Sequence, residues 1–302
     1  MIITGGTGFI GRPLSQRFNN KGYEVICLTR NASVAKEKWG NRVKFVDWNG
    51  RNAVGWGGYA EGASAIINLA GDNIAAGRWN EKKKQRIIQS RLHAGEAVVK
   101  AVKSVKKKPG VVIQASAIGF YGNRGDELLD ETSSSGEGFL AEVTRKWEAS
   151  TQEVETEGVR RVVIRTGMVL GKDGGALVRL VQPFRFFLGG HVGTGEQWNS
   201  WIHLEDVTQS ILFLMERSNL SGTFNLTAPR SLKNKDFSYT IGEVLGRPSW
   251  LPVPGFLLKI LFGELADEML LSGQRVCPKR LEDSGYGFIF PEAKKALVDV
   301  LA

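Results

Sequence analysis

A glycine-rich turn near the start of the chain constrains the fold more than any other feature of the sequence. Residues 4–11 read Thr-Gly-Gly-Thr-Gly-Phe-Ile-Gly and lie between a short apolar segment and a helical pattern. Gly5 allows a sharp turn out of a strand, Gly8 lets the backbone approach a pyrophosphate, and Gly11 lets a helix pack closely on that strand. The helix N-terminus then offers unpaired N–H groups and a positive dipole end to phosphates. This strand–turn–helix context predicts a dinucleotide-binding site.

The first half of the chain alternates between apolar strands and helices. The pattern predicts strands at 2–4, 25–29, 43–46, 65–69, 111–115 and 161–165. It predicts helices at 11–20, 80–104 and 137–157. Nearly continuous apolar strands that alternate with helices indicate a parallel sheet covered on both faces. We therefore predict an α/β fold built on a Rossmann doubly wound parallel sheet.

After Gly167 the pattern loosens into glycine-rich turns, an aromatic loop and short helices interrupted by prolines. We predict a Rossmann domain at residues 1–165 and a smaller C-terminal substrate lobe at residues 166–302. Residues 205–228 read as a helix and a strand, and we expect this segment to pack back on the Rossmann sheet. The cleft between the two parts is then the expected site.

The end of the second strand indicates which dinucleotide binds. Proteins that bind NAD carry an acidic residue about 20 residues after the glycine loop, where it holds the ribose 2′-hydroxyl. Here the strand ends in Leu-Thr-Arg-Asn, with Thr29 and Arg30 in place of an acid. Arg30 can pair a 2′-phosphate with two hydrogen bonds, and Thr29 can add a third. The sequence therefore favours NADP, the alternative being that Arg30 is only a solvated residue at the strand end.

Composition excludes several classes of protein. The formal net charge is +9, but no aromatic residues interleave with the lysine clusters at 82–84 and 106–108, so we expect a solvated face and no nucleic-acid partner.

The two cysteines suit neither a disulfide framework nor a metal site, which favours a reducing, cytoplasmic setting. Apolar runs fall short of the ~18 residues of a membrane span, so we expect no membrane partner. We see no secretory signal, and a removed transit peptide is left open because Met1 adjoins the first strand.

Further segments add up to a resemblance to known proteins. The glycine loop and residues 68–71, 116–122 and 201–207 resemble an extended short-chain dehydrogenase/reductase. More narrowly, the chain resembles the atypical YfcH-like epimerase-family proteins, some of which are labelled cell-division inhibitor SulA. The segments that carry this narrower resemblance are 77–80, 90–91, 139–148, 171–176, 251–254, 273–276 and 285–288.

The resemblance implies a seven-stranded parallel sheet, a C-terminal substrate lobe and a set of positions that contact NADP. Those positions are Gly5, Thr7, Gly8, Phe9, Ile10, Gly11, Thr29, Arg30, Leu69, Ala70, Gly71, Arg91 and Val169. Asp47 follows the third strand and is a candidate acceptor for the adenine amine or, equally, a simple turn residue. Extended members of that family often pair through their two long helices, so the sequence leaves a homodimer open.

The catalytic pattern of short-chain dehydrogenases is absent. Active members use a Tyr-x-x-x-Lys pair, in which the lysine lowers the pKa of the tyrosine and the tyrosine moves a proton. Phe139 and Val143 stand at the matching positions, and Ala117 stands where an orienting hydroxyl is usual. Ser116 and Tyr121 are therefore the candidate catalytic residues.

Lys146 and His203 are further candidates for catalysis. Each of the candidates also has a structural explanation: a packing tyrosine for Tyr121, a surface cation for Lys146 and a turn for His203. Two functions stay open at this point. One is an NADP-dependent oxidoreductase or epimerase acting on a small carbonyl or hydroxyl compound, and the other is a non-catalytic NADP-binding regulator or scaffold with a possible link to cell division.

Overall fold

The apolar strands of the sequence form one parallel sheet in the computed structural model, which describes residues 1–301. The strands are β1 (Ile2–Thr4), β2 (Ile26–Thr29), β3 (Lys44–Asp47), β4 (Ile66–Asn68), β5 (Val111–Ala117), β6 (Leu128–Leu129), β7 (Arg160–Thr166), β8 (Met168–Leu170), β9 (Trp198–Asn199), β10 (Trp201–His203), β11 (Gly222–Leu226), β12 (Leu232–Lys233) and β13 (Arg275–Val276). Seven of them form the main sheet in the order β11-β7-β5-β4-β1-β2-β3.

Ten α-helices connect and flank these strands within residues 1–301. They are α1 (Gly11–Asn20), α2 (Ala32–Trp39), α3 (Glu81–Ser104), α4 (Phe139–Ala149), α5 (Leu177–Arg185), α6 (Leu204–Glu216), α7 (Asn234–Leu245), α8 (Gly255–Phe262), α9 (Lys279–Asp283) and α10 (Ala293–Leu301). None of the helices in this part of the chain combines the length and the hydropathy that a membrane span requires.

The main sheet is buried on both faces, which explains why its strands read as continuous apolar runs. Alternate residues of β1 point to opposite faces, so that Ile3 packs with α1 and α6 while Ile2 packs with α3. All pairings in this sheet are parallel. The predicted doubly wound parallel fold is confirmed.

The remaining elements form a second hydrophobic cluster beside the sheet. Helices α5, α7 and α10 pack together around the fully buried Trp201. Helix α6 and strand β11 instead join the main sheet and its core, and they lie within the segment expected to pack back on it. The division of the chain at residue 165 stays a prediction.

Two local expectations were wrong. The helix expected at 137–157 spans only Phe139–Ala149, and a 3-10 turn follows; near its end the Glu148 carbonyl oxygen accepts a hydrogen bond from the Arg161 guanidinium of β7. The lysine cluster at 82–84 is not wholly solvated, since Lys83 is buried. Its Nζ donates to the Asp72 carboxylate and the Asn73 carbonyl oxygen, each at 2.7 Å.

Candidate functional site

The glycine loop forms a tight turn between β1 and α1 at the carboxyl edge of the sheet. Gly5 has a φ of 65°, a left-handed conformation that favours glycine, and its carbonyl oxygen accepts a 2.9 Å hydrogen bond from the Gly8 N–H. A Cβ on Gly11 would lie 2.2 Å from the Gly5 oxygen and 2.7 Å from Gly6 Cα. Only glycine therefore lets α1 begin this close to the strand, and the exposed Gly8 leaves backbone accessible to phosphates.

A second glycine-rich turn holds the loop from the other side. The ring of Phe9 packs against Gly171, Gly174 and Gly175, where an added Cβ would lie 2.7 to 2.9 Å from the ring. The sequence indicated this turn but not its packing against Phe9. The contact joins the phosphate loop to the segment after β8, and Val169 lies buried in that strand opposite Ile202.

A buried chain of polar side chains aligns the ends of three strands. Thr4 donates its hydroxyl hydrogen to Asn68 at 2.6 Å, and Asn68 donates its amide to Gln114 at 2.9 Å. The Thr4 oxygen accepts hydrogen bonds from the backbone N–H groups of Leu69 and Ala70, both at 3.1 Å. This network fixes the predicted cofactor positions Leu69 and Ala70 directly beside the glycine loop.

At the end of β2 an exposed arginine side chain is free to meet an anion. Arg30 is exposed, and within residues 1–301 its guanidinium has no hydrogen-bonding or acidic partner. Thr29 is half-buried beside it. Asp47 accepts a 2.7 Å hydrogen bond from the backbone N–H of Ala32 at the start of α2, which occupies one of its carboxylate oxygens.

Arg91 is a buried cation with unused hydrogen-bonding capacity. One terminal nitrogen donates to the carbonyl oxygens of Asp72 at 3.2 Å and Ile87 at 3.0 Å, whereas its buried Nε has no partner within residues 1–301. Its guanidinium lies 4.7 Å from the ring centre of Trp147 and directly beside Gly71. Burial lowers the pKa of Arg91 to about 10. The nitrogen nearest Gly71 is Nη2, which has no hydrogen-bond partner within residues 1–301 and could donate to an acceptor placed there.

The two positions of the missing catalytic pair serve as packing residues. Phe139 meets Trp79 edge to face with ring centres 5.0 Å apart, and Val143 is buried in the same cluster. Above them, the Glu268 carboxylate accepts hydrogen bonds from the backbone N–H groups of Phe139 at 3.0 Å and Leu140 at 3.2 Å. A C-terminal acid thus caps the helix that carries the tyrosine in active relatives, a role that no local sequence signal indicated.

The candidate catalytic hydroxyls are engaged with protein groups. Ser116 donates to Glu148 at 2.6 Å. Tyr121 is fully buried, donates to Asn225 at 2.7 Å and accepts from Arg165 at 3.1 Å. Burial raises the pKa of Tyr121 against the opposing influence of Arg165.

Arg165 joins these hydroxyls into one network. It also donates two hydrogen bonds to Glu148, at 2.8 and 3.0 Å, and this buried ion pair was missed by sequence reasoning because its members are 17 residues apart on different elements. Such an arrangement ties β5, α4, β7 and β11 together and uses the donor hydrogen of each hydroxyl, while a catalytic role for Ser116 and Tyr121 stays a prediction.

The remaining candidates have structural partners as well. Lys146 forms an exposed ion pair with Glu142 at 2.5 Å, one turn earlier on α4. His203 caps α6, because its Nδ1 accepts a 3.1 Å hydrogen bond from the Glu205 N–H. Burial lowers the pKa of His203, although Asp299 acts in the opposite direction. In residues 1–301 no three metal-ligating side chains come together.

Comparisons with known proteins place this site in a family context. The model of the NAD dependent epimerase/dehydratase family matches residues 1–227, and the model of a domain of unknown function, DUF1731, matches residues 253–300. The chain is 39% identical over 312 residues to the epimerase family protein YfhF of Bacillus subtilis, covering 100% of this chain and 98% of that protein.

Solved structures of similar proteins have the same overall fold. The crystal structure of the human epimerase family protein SDR39U1 with NADPH is 33% identical, has a TM-score of 0.89 and is matched over 99% of this chain and 98% of that one. The Thermus thermophilus UDP-glucose 4-epimerase in complex with NAD is 17% identical with a TM-score of 0.78, over 99% of this chain and 97% of that one, and shows the shared fold. The narrower YfcH-like and cell-division labels stay predictions.

Proposed function

Because this chain belongs to the NAD dependent epimerase/dehydratase family, we propose that it binds NADP(H) at the carboxyl edge of its sheet and acts as an oxidoreductase on a small carbonyl or hydroxyl compound. The single observation that carries the cofactor assignment is the pair of arginines with free donors, Arg30 at the end of β2 and Arg91 beside Gly71. The similar human protein solved with NADPH supports the same choice.

The residues of this chain fit the cofactor in three places. The tight glycine turn, in which a Cβ on Gly11 would collide with the backbone, offers N–H groups and a helix N-terminus to the pyrophosphate. The planar guanidinium of Arg30 donates hydrogen bonds to the 2′-phosphate. Arg91 offers its Nη2, which has no hydrogen-bond partner within residues 1–301 and would lie 3.2 Å from a Cβ on Gly71, to an acceptor at Gly71, in a buried setting where a charged hydrogen bond is strong.

The proposed reaction is reduction rather than epimerisation. NADPH, when bound, supplies a hydride to a carbonyl carbon. Epimerisation moves a proton off a hydroxyl and back again as the hydride leaves and returns, and Phe139 and Val143 can assist neither transfer. Reduction needs only one protonation, in which water gives a proton to the carbonyl oxygen as the hydride reaches the carbon. The apolar ring of Phe139, packed on Trp79, would form the wall of this site.

A non-catalytic regulator is the second candidate function. It is favoured by a specific observation, namely that both hydroxyls nearest the expected substrate position, those of Ser116 and Tyr121, are bonded to buried protein groups. Such a protein would bind NADP(H) and present a different affinity for a partner when the cofactor is bound. The link to cell division belongs to this second candidate.

Calorimetric titration of the purified chain tests the cofactor assignment. We expect NADPH to bind more tightly than NADH, and Arg30→Gln to weaken NADPH binding about 10- to 100-fold, because a charged hydrogen bond is worth roughly 1.5–3 kcal/mol. Arg217→Gln is the matched control, since Arg217 is exposed at the far end of α6. Equal affinity for NADH and NADPH, or no heat with either, would contradict the assignment.

A screen of aldehydes and ketones separates the two functions. Steady oxidation of NADPH, followed by its absorbance, supports the oxidoreductase. Tight NADPH binding without consumption by any compound, together with a partner that is captured only when NADPH is present, supports the regulator.

A further inference from the structure

Helix α8 exposes an unusual amount of apolar surface. Only Leu258 of its eight residues is buried. Phe256, Ile260 and Leu261 are each more than 60% exposed, at 63%, 64% and 64%. At 3.6 residues per turn, these side chains and Leu257 span an arc of about 140° on the helix surface. A helix that is apolar over most of its circumference is normally covered by another body.

A second group of exposed apolar side chains adjoins α8. Phe186, Phe187 and Leu188 follow α5, and the indole N–H of Trp250 donates to the Phe187 carbonyl oxygen at 3.0 Å. The backbone N–H groups of Trp250 and Leu251 also donate to Gly189, and the chain then runs directly into α8. We call residues 186–188, 250–251 and 256–262 together the apolar rim.

One residue of the apolar rim is held in a strained conformation. Phe187 has a φ of 61°, and it is the only residue other than glycine with a positive φ within residues 1–301. A bulky aromatic residue adopts this conformation at an energetic cost, so the surrounding contacts must impose it. The hydrogen bond from Trp250 to the Phe187 carbonyl oxygen and the 3.0 Å bond from the Phe187 N–H to Phe184 hold this backbone, and Phe187 is 53% exposed.

The charges around the apolar rim are predominantly positive. Arg185 and Arg247 are exposed and have no acidic partner within residues 1–301, and the Arg247 guanidinium lies 4.4 Å from the ring centre of Phe187. Two of the three acids that follow α8 at 264–268 pair with lysines, and the third, Glu268, accepts hydrogen bonds from the backbone of α4. Asp267 pairs with Lys259 at 2.7 Å, and Glu264 pairs with Lys84 at 2.5 Å.

The expectation of no membrane partner rested on the lack of a spanning segment, which a surface contact does not need, and we propose that the apolar rim is a docking surface for an anionic lipid bilayer. Exposed aromatic and aliphatic side chains flanked by arginines are the pattern of elements that lie in a membrane interface. Eight residues of helix rise about 12 Å, which suits a helix lying at the headgroup boundary rather than one crossing the hydrocarbon. The positive charge matches the negative headgroups.

Charge also argues for a bilayer over a second copy of this chain. A symmetric pair would place the same surface on both sides of the contact, so Arg185 and Arg247 of both copies would be brought into one interface. Like charges across an interface oppose association, and the net charge of +9 adds to this repulsion. The proposal is independent of the proposed function, because it involves none of the cofactor positions.

Sedimentation of the full chain with lipid vesicles tests the proposal. We expect binding to phosphatidylcholine vesicles that contain about 30% phosphatidylglycerol, and far weaker binding to phosphatidylcholine alone, since each basic residue near an anionic surface adds to the affinity. The double variant Ile260→Ser/Leu261→Ser should bind about ten-fold less or weaker. Arg247→Gln should bind about five-fold less.

The control is Val54→Ser, which removes an exposed apolar side chain, 79% exposed, in the segment between β3 and β4, outside the apolar rim. Unchanged thermal unfolding and NADPH affinity in all variants would show that the fold is intact. The proposal is overturned if the unsubstituted chain does not sediment with anionic vesicles or if the rim variant binds as well as the control. A dimer that light scattering detects in the unsubstituted chain, and that the rim variant abolishes, would also overturn it in favour of self-association.

Discussion

Replacing Arg91 by methionine separates its role in cofactor binding from any role in stability. Arg91 is 9% exposed, burial lowers its pKa to about 10, and its Nε has no partner within residues 1–301. Methionine has a similar length and no charge. If the Arg91 guanidinium binds the cofactor, its removal should weaken NADPH binding and leave the free energy of unfolding nearly unchanged.

The magnitudes follow from these contacts. The fall in the pKa of Arg91 from 12.5 to about 10 corresponds to roughly 3 kcal/mol for keeping the ion buried. Arg91 is charged at pH 7 in both the folded and the unfolded chain, so this cost is fully present there. Its two hydrogen bonds to backbone carbonyl oxygens stabilise the folded state by about 1 kcal/mol each. The free energy of unfolding without cofactor should therefore change by less than about 2 kcal/mol.

Binding should respond much more strongly. A buried hydrogen bond between a guanidinium and a cofactor oxygen is worth roughly 1.5–3 kcal/mol, so the Kd for NADPH should rise about 10- to 100-fold. Urea denaturation with and without NADPH, together with calorimetric titration, measures both quantities. Arg86→Met is the control, because Arg86 lies on the same helix with its side chain 67% exposed.

One result would refute this reasoning. If Arg91→Met lowers the free energy of unfolding by more than about 3 kcal/mol and leaves the Kd for NADPH unchanged, Arg91 serves the fold alone. The cofactor would then have to be held without it.

Three further predictions concern the fold around the site. Gly11→Ala should lower the free energy of unfolding by about 3 kcal/mol in urea denaturation, since the new Cβ would lie 2.2 Å from the Gly5 oxygen, whereas Gly58→Ala, which adds a Cβ in open space, should be nearly neutral. Tyr121→Phe should cost about 1–3 kcal/mol of stability, because it leaves two buried partners unsatisfied, and a large loss of NADPH affinity in calorimetry would contradict its structural role. Burial lowers the pKa of His203 below 6.5, so protons bind the unfolded chain more tightly and stability should fall as the pH drops from about 7.5 to 5.5. His203→Asn, which keeps the capping acceptor, should flatten this dependence in denaturation curves, and identical curves for both proteins would contradict the assignment.

Much of the fold could be predicted because its signals are local. The spacing of Gly5, Gly8 and Gly11 indicates a turn that has no space for a Cβ. This steric constraint involves only residues that are close in sequence. The continuous apolar strands report burial on two faces wherever they lie in the sheet. Helix α2 carried no such signal, because only Ala35 of its eight residues is buried.

The candidate site was less predictable where a side chain depends on distant partners. Ser116 and Tyr121 looked available for chemistry, but Arg165 and Glu148 from other elements engage them. Glu268 caps α4 from 129 residues away along the chain. No local pattern records such pairings, since they arise only when the sheet and the C-terminal segment have come together.

By itself, the sequence determined the phosphate loop, the alternation of strands and helices and the arginine at the end of β2, because backbone sterics and residue type decide these within one structural element. Only the tertiary structure decided which hydroxyls are already bonded, which arginine keeps a free donor and which apolar helix stays exposed. Those properties depend on which neighbours and how much solvent surround a side chain after packing. Neither is decided until the whole chain has folded around the residue.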